Sequence, residues 1–337
     1  MEQHWFRRGL IFSKEQVQKS LTAAYRNASD WAEQEILQEL KNLHPKYYKS
    51  DFSSLNLLEE RIKMKSPAKG LLRPSKEDIK LAWSMARNWN GKEKNMTIIS
   101  SILSVLCSSQ IQHAEMSRSG TQIKLLLSLE GGQQALFKPQ WYSRDEIIEG
   151  PVYAGRDRHN AEVAAFYLGL ILDMNRVPYV VGRRVDLRRE ILPVADQGLW
   201  ETFVQNSTHT CFYGNCASCS PRFSVCGGKH GQDNSGRDGD ILEGALILML
   251  PPYYHLKKFR HPWQRTYNNF SARWEVQVNY CDSVRHSKMY SPAGSRLPDL
   301  VDAAIFDFLM DNGDRHHYEI LQDSNIDAFV LLDNGKG

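Results

Sequence analysis

Apolar residues recur along this chain with two different periods. Over residues 14–43 and 75–90 they return at helical spacing among charges, as with Val17, Leu21, Tyr25, Trp31, Ile36 and Leu40, which gathers them on one helix face. Between these stretches Ser66–Pro74 holds two prolines and a glycine and reads as a turn or linker. The first hundred residues therefore read as a helical extension without a catalytic motif. From Thr121 the period shortens. Gln122–Leu129 predicts a strand, Glu130-Gly131-Gly132-Gln133 a hairpin turn whose glycines accept positive φ, and Gln134–Lys138 the return strand, ended by Pro139. A helix is expected from Asn160 to Met174, with Asp157 or His159 as its cap, and a strand pair over 178–187. Residues 205–240 are rich in Cys, Gly and Asn and read as an irregular insert. Its part from Gly227 to Gly239 has little to bury and reads as a mobile loop. Leu242–Leu250 is an apolar run stopped by Pro251-Pro252. Residues 299–311 predict a buried helix carrying Leu300, Ala303, Ala304, Phe306, Phe308 and Leu309, and Phe329–Leu332 a short buried strand. No internal repeat is present.

Composition narrows the class. The chain has 337 residues, 42% hydrophobic and 24% charged, as in a soluble globular protein. A net charge of +3 without a long basic block gives no footprint for nucleic acid. There is no apolar run of about eighteen residues, so no segment spans a membrane, and the first residues do not form a signal peptide. Cys211, Cys216, Cys219 and Cys226 crowd into the insert, with Cys107 and Cys281 apart. Two readings stand: a zinc site built on Cys216-x-x-Cys219, or two disulfides of an oxidising compartment. Sequons at Asn27, Asn95, Asn206 and Asn269 are compatible with a glycosylated luminal protein.

The chemistry lies near the end of the sequence. Asp314 in Asn312-Gly313-Asp314-Arg315-His316-His317-Tyr318-Glu319 and Asp333 in Leu332-Asp333-Asn334-Gly335 flank a short apolar strand. Phosphoryl transfer needs charge around the phosphates and an oriented acceptor. In a kinase one aspartate takes the acceptor's proton and a second, one strand later, holds the metal. A strand lysine behind a Gly-containing hairpin reaches the phosphates, and a glutamate on the next helix orients it. Lys138, behind Gly131-Gly132, and Glu162 fill those places, and the order Lys, Glu, Asp, Asp is that of a kinase fold. Adjacent His316 and His317 lack the i, i+4 spacing of a helical zinc motif.

Four stretches go further: Ala135-Leu136-Phe137-Lys138-Pro139, Asp157-Arg158-His159-Asn160-Ala161-Glu162, Cys211-Phe212-Tyr213-Gly214-Asn215-Cys216 and Asp314–Glu319. Through them residues 120–337 resemble the secretory-pathway kinases, the family that includes the Golgi casein kinase. Ser128–Gln133, Tyr142-Ser143-Arg144-Asp145, Tyr153-Ala154-Gly155 and His261–Tyr267 resemble its xylose-kinase branch. The resemblance implies an α+β, atypical two-lobed protein-kinase-like fold. Three regions are expected: a helical N-terminal extension (1–110), a kinase-like N-lobe (111–200), and a Cys-containing insert with a truncated C-terminal lobe (201–337). It implies transfer of phosphate from ATP, with Mn²⁺ or Mg²⁺, to the 2-hydroxyl of xylose in the glycosaminoglycan–protein linkage of proteoglycans, in the Golgi lumen. Asp314 would be the catalytic base. Gln122, Lys138, Glu162 and Asp333 would contact ATP, and Glu162, Asp333 and Glu319 the metal. It further implies disulfides Cys211–Cys226 and Cys216–Cys219, with Cys281 unpaired. A luminal serine protein kinase is the second reading. A pseudokinase activator is the third, although all four catalytic groups are present. Trp263, Arg265 and Tyr267 are candidates for the sugar site.

Overall fold

The computed structural model describes residues 74–337, except 119, 144–145, 152–153, 206–208, 215–223, 229–237, 267–269, 292–295 and 324–325. The helical pattern at 14–43, Cys216, Cys219, Tyr267, and sequons Asn27, Asn206 and Asn269 lie outside the described residues. The chain divides into two compact units, residues 1–68 and 69–337. The described residues all belong to the second, and the expected boundaries at 110 and 200 both fall inside it.

Helix α1 (Lys76–Ala86) opens on a capping box. Ser75 accepts from the Asp78 N–H, and the Asp78 carboxylate accepts from the Ser75 N–H. Ile79, Ala82, Trp83 and Ala86 face inward at i, i+3, i+4, i+7. Helix α2 (Met96–Ser108) is capped by Asn95, whose Oδ1 accepts from Thr97 and Ile98. It carries no charged residue; its outward stripe is made of Thr97, Ser100 and Ser104, opposite buried Ile99, Ile102, Val105 and Leu106.

Strands β1 (Ile111–Met116), β2 (Leu125–Leu129) and β3 (Gln133–Pro139) follow, then α3 (His159–Ile171), β4 (Val180–Asp186) and the one-turn helix α4 (Gln197–Trp200). Next come β5 (Phe203–Gln205), β6 (Thr210–Phe212), β7 (Val225–Cys226), β8 (Ile241–Leu248) and β9 (Leu256–Arg260). Short helices α5 (Arg273–Val276) and α6 (Tyr280–Arg285), helix α7 (Arg296–Leu309), and strands β10 (His317–Asp323) and β11 (Ile326–Val330) complete the order. Three antiparallel sheets result, with strand orders β1-β2-β3-β8-β4, β5-β6-β7 and β11-β10-β9.

Four expectations change. β2 starts at Leu125 rather than Gln122, and β1, which the periodicity missed, pairs on its outer side. The segment 178–187 is one strand, not a pair, because β4 pairs with β8 from far along the chain. The N-cap of α3 is Arg158, without a side-chain cap; Asp157 is engaged elsewhere. Helix α7 buries Leu300, Ala303, Phe306 and Asp307, but leaves Phe308 83% and Leu309 52% exposed. Positions 300, 303, 306 and 307 form the inward stripe at 3–4 spacing, which turns Ala304 and Phe308 outward.

Cys211 and Cys226 stand directly opposite each other on β6 and β7 and are bonded. The outer pair is therefore a disulfide rather than half of a zinc site. Cys107 and Cys281 are free thiols.

Candidate active site

Alternation along β3 turns Ala135 and Phe137 into the core, and Lys138 is buried as well, at 6% exposure. A buried ammonium is costly unless it is paired. Three carboxylates pair it: Nζ lies 2.5 Å from Glu162 Oε1, 2.6 Å from Asp333 Oδ1 and 3.2 Å from Asp157 Oδ2. Burial alone would lower the lysine's pKa, but Glu162, Asp333 and Asp157 outweigh it and hold the pKa well above its ordinary value. Lys138 in turn keeps Asp333 well below the usual carboxylate range, against its partial desolvation.

Each partner comes from a different element. Glu162 sits in the first turn of α3, 2% exposed. Asp157 is clamped by Gln122, whose Nε2 donates to Asp157 Oδ1 (2.7 Å) while its Oε1 accepts from the Asp157 N–H (2.9 Å). Asp333 follows β11 with φ +58°, the left-handed region that Asp tolerates better than most residues. That turn leaves its side chain 54% exposed and lets it line a cleft with Asp157, Asp314, Arg315, His316, His317, Leu332 and Lys336.

The Gly131-Gly132 hairpin does not belong to this site. Lys138 is six residues beyond Gly132, roughly 20 Å along an extended strand, and the hairpin closes the far end of the sheet. The register Leu125↔Phe137 instead brings the β1–β2 connection beside Lys138. That connection holds Gly120 (φ +78°), Gln122 and Lys124. Burial, and then the charge of Lys138, lower the Lys124 pKa, so two lysines share this end.

Asp314 lies in the turn between α7 and β10, its N–H donating to Asn312 Oδ1 (3.2 Å). Arg315 fixes that turn. Its guanidinium grips Asp307 of α7 through Nε (2.9 Å) and Nη2 (2.7 Å), and also donates to the Leu332 carbonyl and to Asn334 Oδ1 (2.7 Å). Asn334, 1% exposed, turns its backbone N–H to Glu162 Oε1 (3.1 Å) and its Nδ2 to Glu162 Oε2 (3.4 Å). One amide side chain thus ties the helix glutamate, the loop holding Asp314 and the strand end holding Asp333. Sequence reading missed Asn334, Arg315, Asp307 and Asp157 as a set. Their only signal was position, next to or inside motifs already singled out. Substituting Asn334 by Leu leaves two buried charged groups short of a partner. The expected cost is about 2–3 kcal/mol in chemical denaturation. A variant as stable as the parent would remove this node.

Glu319 does not join the cleft. It sits on β10, 8% exposed, with Oε1 3.0 Å from His317 Nε2. Its role as a metal ligand therefore has no geometric support. Among the described residues no three His, Cys, Asp or Glu side chains close round a point where a metal would sit; the carboxylates close round Lys138. The donor set still fits a hard divalent cation. It is all oxygen, Asp333 is ionised and opens to the cleft, and phosphate oxygens would complete the ligands.

Residues 81–337 match the family model of the Golgi casein kinase C-terminal region, Fam20. The chain belongs to the Fam20 family. This Fam20 chain is 45% identical over 260 residues to human glycosaminoglycan xylosylkinase, a match covering 75% of the chain and 61% of that relative. The chain spans less than two thirds of the curated xylosylkinases it matches. A solved structure of hydra Fam20 with sugar superposes with TM-score 0.70 at 40% identity, covering 76% of this chain and 72% of that one. The Golgi casein kinase with Mn and ADP bound superposes with TM-score 0.65 at 27% identity, covering 81% and 73%. The Fam20 fold is α+β and kinase-like, as the order of motifs implied.

Proposed function

We propose that the chain is the catalytic part of an ATP-dependent kinase that phosphorylates the 2-hydroxyl of xylose in the linkage region of proteoglycans, in the Golgi lumen. The observation that carries the kinase reading is that Asp314 and Asp333 line one cleft while Asp333 is paired, behind it, with buried Lys138 and through it with Glu162. The acceptor reading is supported by 45% identity to the human xylosylkinase, and the luminal one by the Cys211–Cys226 bond.

In this reading Asp314 accepts the proton of the attacking hydroxyl, and Arg315, bound to Asp307, holds the turn that carries it. Glu162 holds Lys138 ready to neutralise phosphate oxygens, as Asn334 holds Glu162. Glu162 and Asp333 would hold Mn²⁺ or Mg²⁺, which when bound supplies positive charge across the transferring phosphates. Gln122 and Asp157, as a clamped pair, shape the wall beside Lys138.

Incubation with labelled ATP, Mn²⁺ and either a galactosyl-xylose glycoside or a casein peptide tests the acceptor. Label is expected on the glycoside. Label on the peptide alone assigns the chain to the serine-kinase reading, and label on neither, with nucleotide still bound, to the pseudokinase reading.

A further inference from the structure

Strand β9 ends where the catalytic loop begins: the His261 N–H donates to the His316 carbonyl (3.0 Å). β9 is the last strand of its sheet, and among the described residues no backbone hydrogen bond covers its outer edge. Its register sets Arg260 opposite His317 and Lys258 opposite Glu319. Directly opposite residues share a face, so both cations stand on the face that carries His317, which lines the cleft with Asp314. Lys258 and Arg260 are exposed, and no carboxylate among the described residues pairs with either. On the other face Lys257 leans over the Phe259 ring (5.3 Å), and Phe259 stacks on Tyr318.

Charged side chains on an edge strand commonly deter pairing with other chains. Here they are two cations on one face, two residues apart, on an open edge that runs into the loop holding the base. An extended peptide can add to such an edge through its backbone while alternate side chains meet the face. Cations at that spacing match carboxylates at the same spacing, roughly 7 Å apart. An anionic glycan would use the charges but not the strand edge, so the geometry favours peptide.

We propose that the edge of β9 docks an acidic peptide segment of the acceptor protein, with Lys258 and Arg260 reading carboxylates at alternate positions beside the glycosylated residue. This rests on the acceptor being a sugar carried on a protein.

The test uses the full chain with ATP and Mn²⁺. Three acceptors are compared: a xylosylated peptide with Glu at alternate flanking positions, its Gln counterpart, and the free galactosyl-xylose glycoside. The Glu peptide is expected to exceed the Gln peptide about tenfold in kcat/KM at low salt, an advantage that shrinks as salt is raised. The double substitution Lys258→Gln, Arg260→Gln is expected to erase the difference and leave the free glycoside unchanged. Equal rates on the two peptides, or an advantage that survives the double substitution, overturn the proposal. Fluorescence anisotropy of the unglycosylated Glu peptide reads docking independently of phosphorylation. If no acceptor is phosphorylated but the peptide binds the parent and not the variant, the xylose reading fails and the docking edge stands. If a sulfated glycan fragment displaces the peptide at concentrations below those at which the peptide itself binds, the edge is a glycan site and the peptide claim falls.

Discussion

Lys138→Met is expected to lower phosphoryl transfer by about 10²–10³-fold and to destabilise the protein by about 3–5 kcal/mol, because it leaves buried carboxylates without their counter-charge. Glu162, Asp157 and Asp333 all lie within 3.2 Å of the ammonium that would be lost. The pH dependence should change sign. In the parent, Asp333 has a depressed pKa in the folded state, so its contribution is complete above the unfolded value near ~3.9 and is lost as pH falls through the folded value. In the variant, mutual repulsion raises the folded pKa of the cluster. Protonation then relieves the variant, and its stability should rise as pH is lowered from 7 toward about 5. Urea denaturation at several pH values measures both effects. A variant whose stability is flat over that window would mean that the carboxylates do not depend on Lys138.

Asp314→Asn should separate chemistry from folding. Its amide keeps the size of the side chain but cannot take a proton, and a loss of about 10³-fold in kcat is expected. The KM for ATP should stay near the parent value, because Lys138, Glu162 and Asp333 are untouched. Stability should change by less than about 1 kcal/mol, since the side chain is partly exposed and its backbone N–H, not its carboxylate, bonds Asn312. A parent-like kcat would remove Asp314 from the base role and direct attention to other groups lining the cleft.

Two of the three carboxylates that meet at Lys138, Glu162 and Asp333, were legible because phosphoryl transfer restricts residue type and order, whereas the third, Asp157, was not. The places of Lys138, Glu162, Asp314 and Asp333 could be read before any geometry was known. What surrounds them could not. Asn334 is significant only because α3, the Asp314 loop and the end of β11 all reach it, and such contacts leave no periodic trace. The Gly131-Gly132 turn was correctly read and placed between β2 and β3, but it was assigned to the phosphate site, which lies at the other end of those strands. A strand's length decides which loop faces Lys138, and the unseen β1 supplied the other loop. Helix α2 escaped because its polar face is made of Thr and Ser, which mark a helix less clearly than charges do. Helix α7 was legible as a helix, but its apolar residues outnumber its inward positions, so Phe308 looked buried and is not.

The Gly131-Gly132 turn has a mechanical meaning. Gly131 lies under the Trp83 ring of α1, where an added Cβ would meet Trp83 Cδ1 at 2.8 Å and Ile79 Cγ2 at 2.9 Å. The indole N–H donates to the Glu130 carbonyl (2.7 Å), and Arg87 donates to the Gly131 carbonyl (3.3 Å). That end of the β2–β3 ribbon is riveted to a helix from outside. The opposite end, beside Lys138, is pinned by different means: Gln122 is bonded twice to Asp157, and β3 pairs with β8 as far as Pro139. The turn and the site are therefore anchored independently, one by a helix packed against it and the other by a side-chain clamp, so that loosening the first need not displace the second.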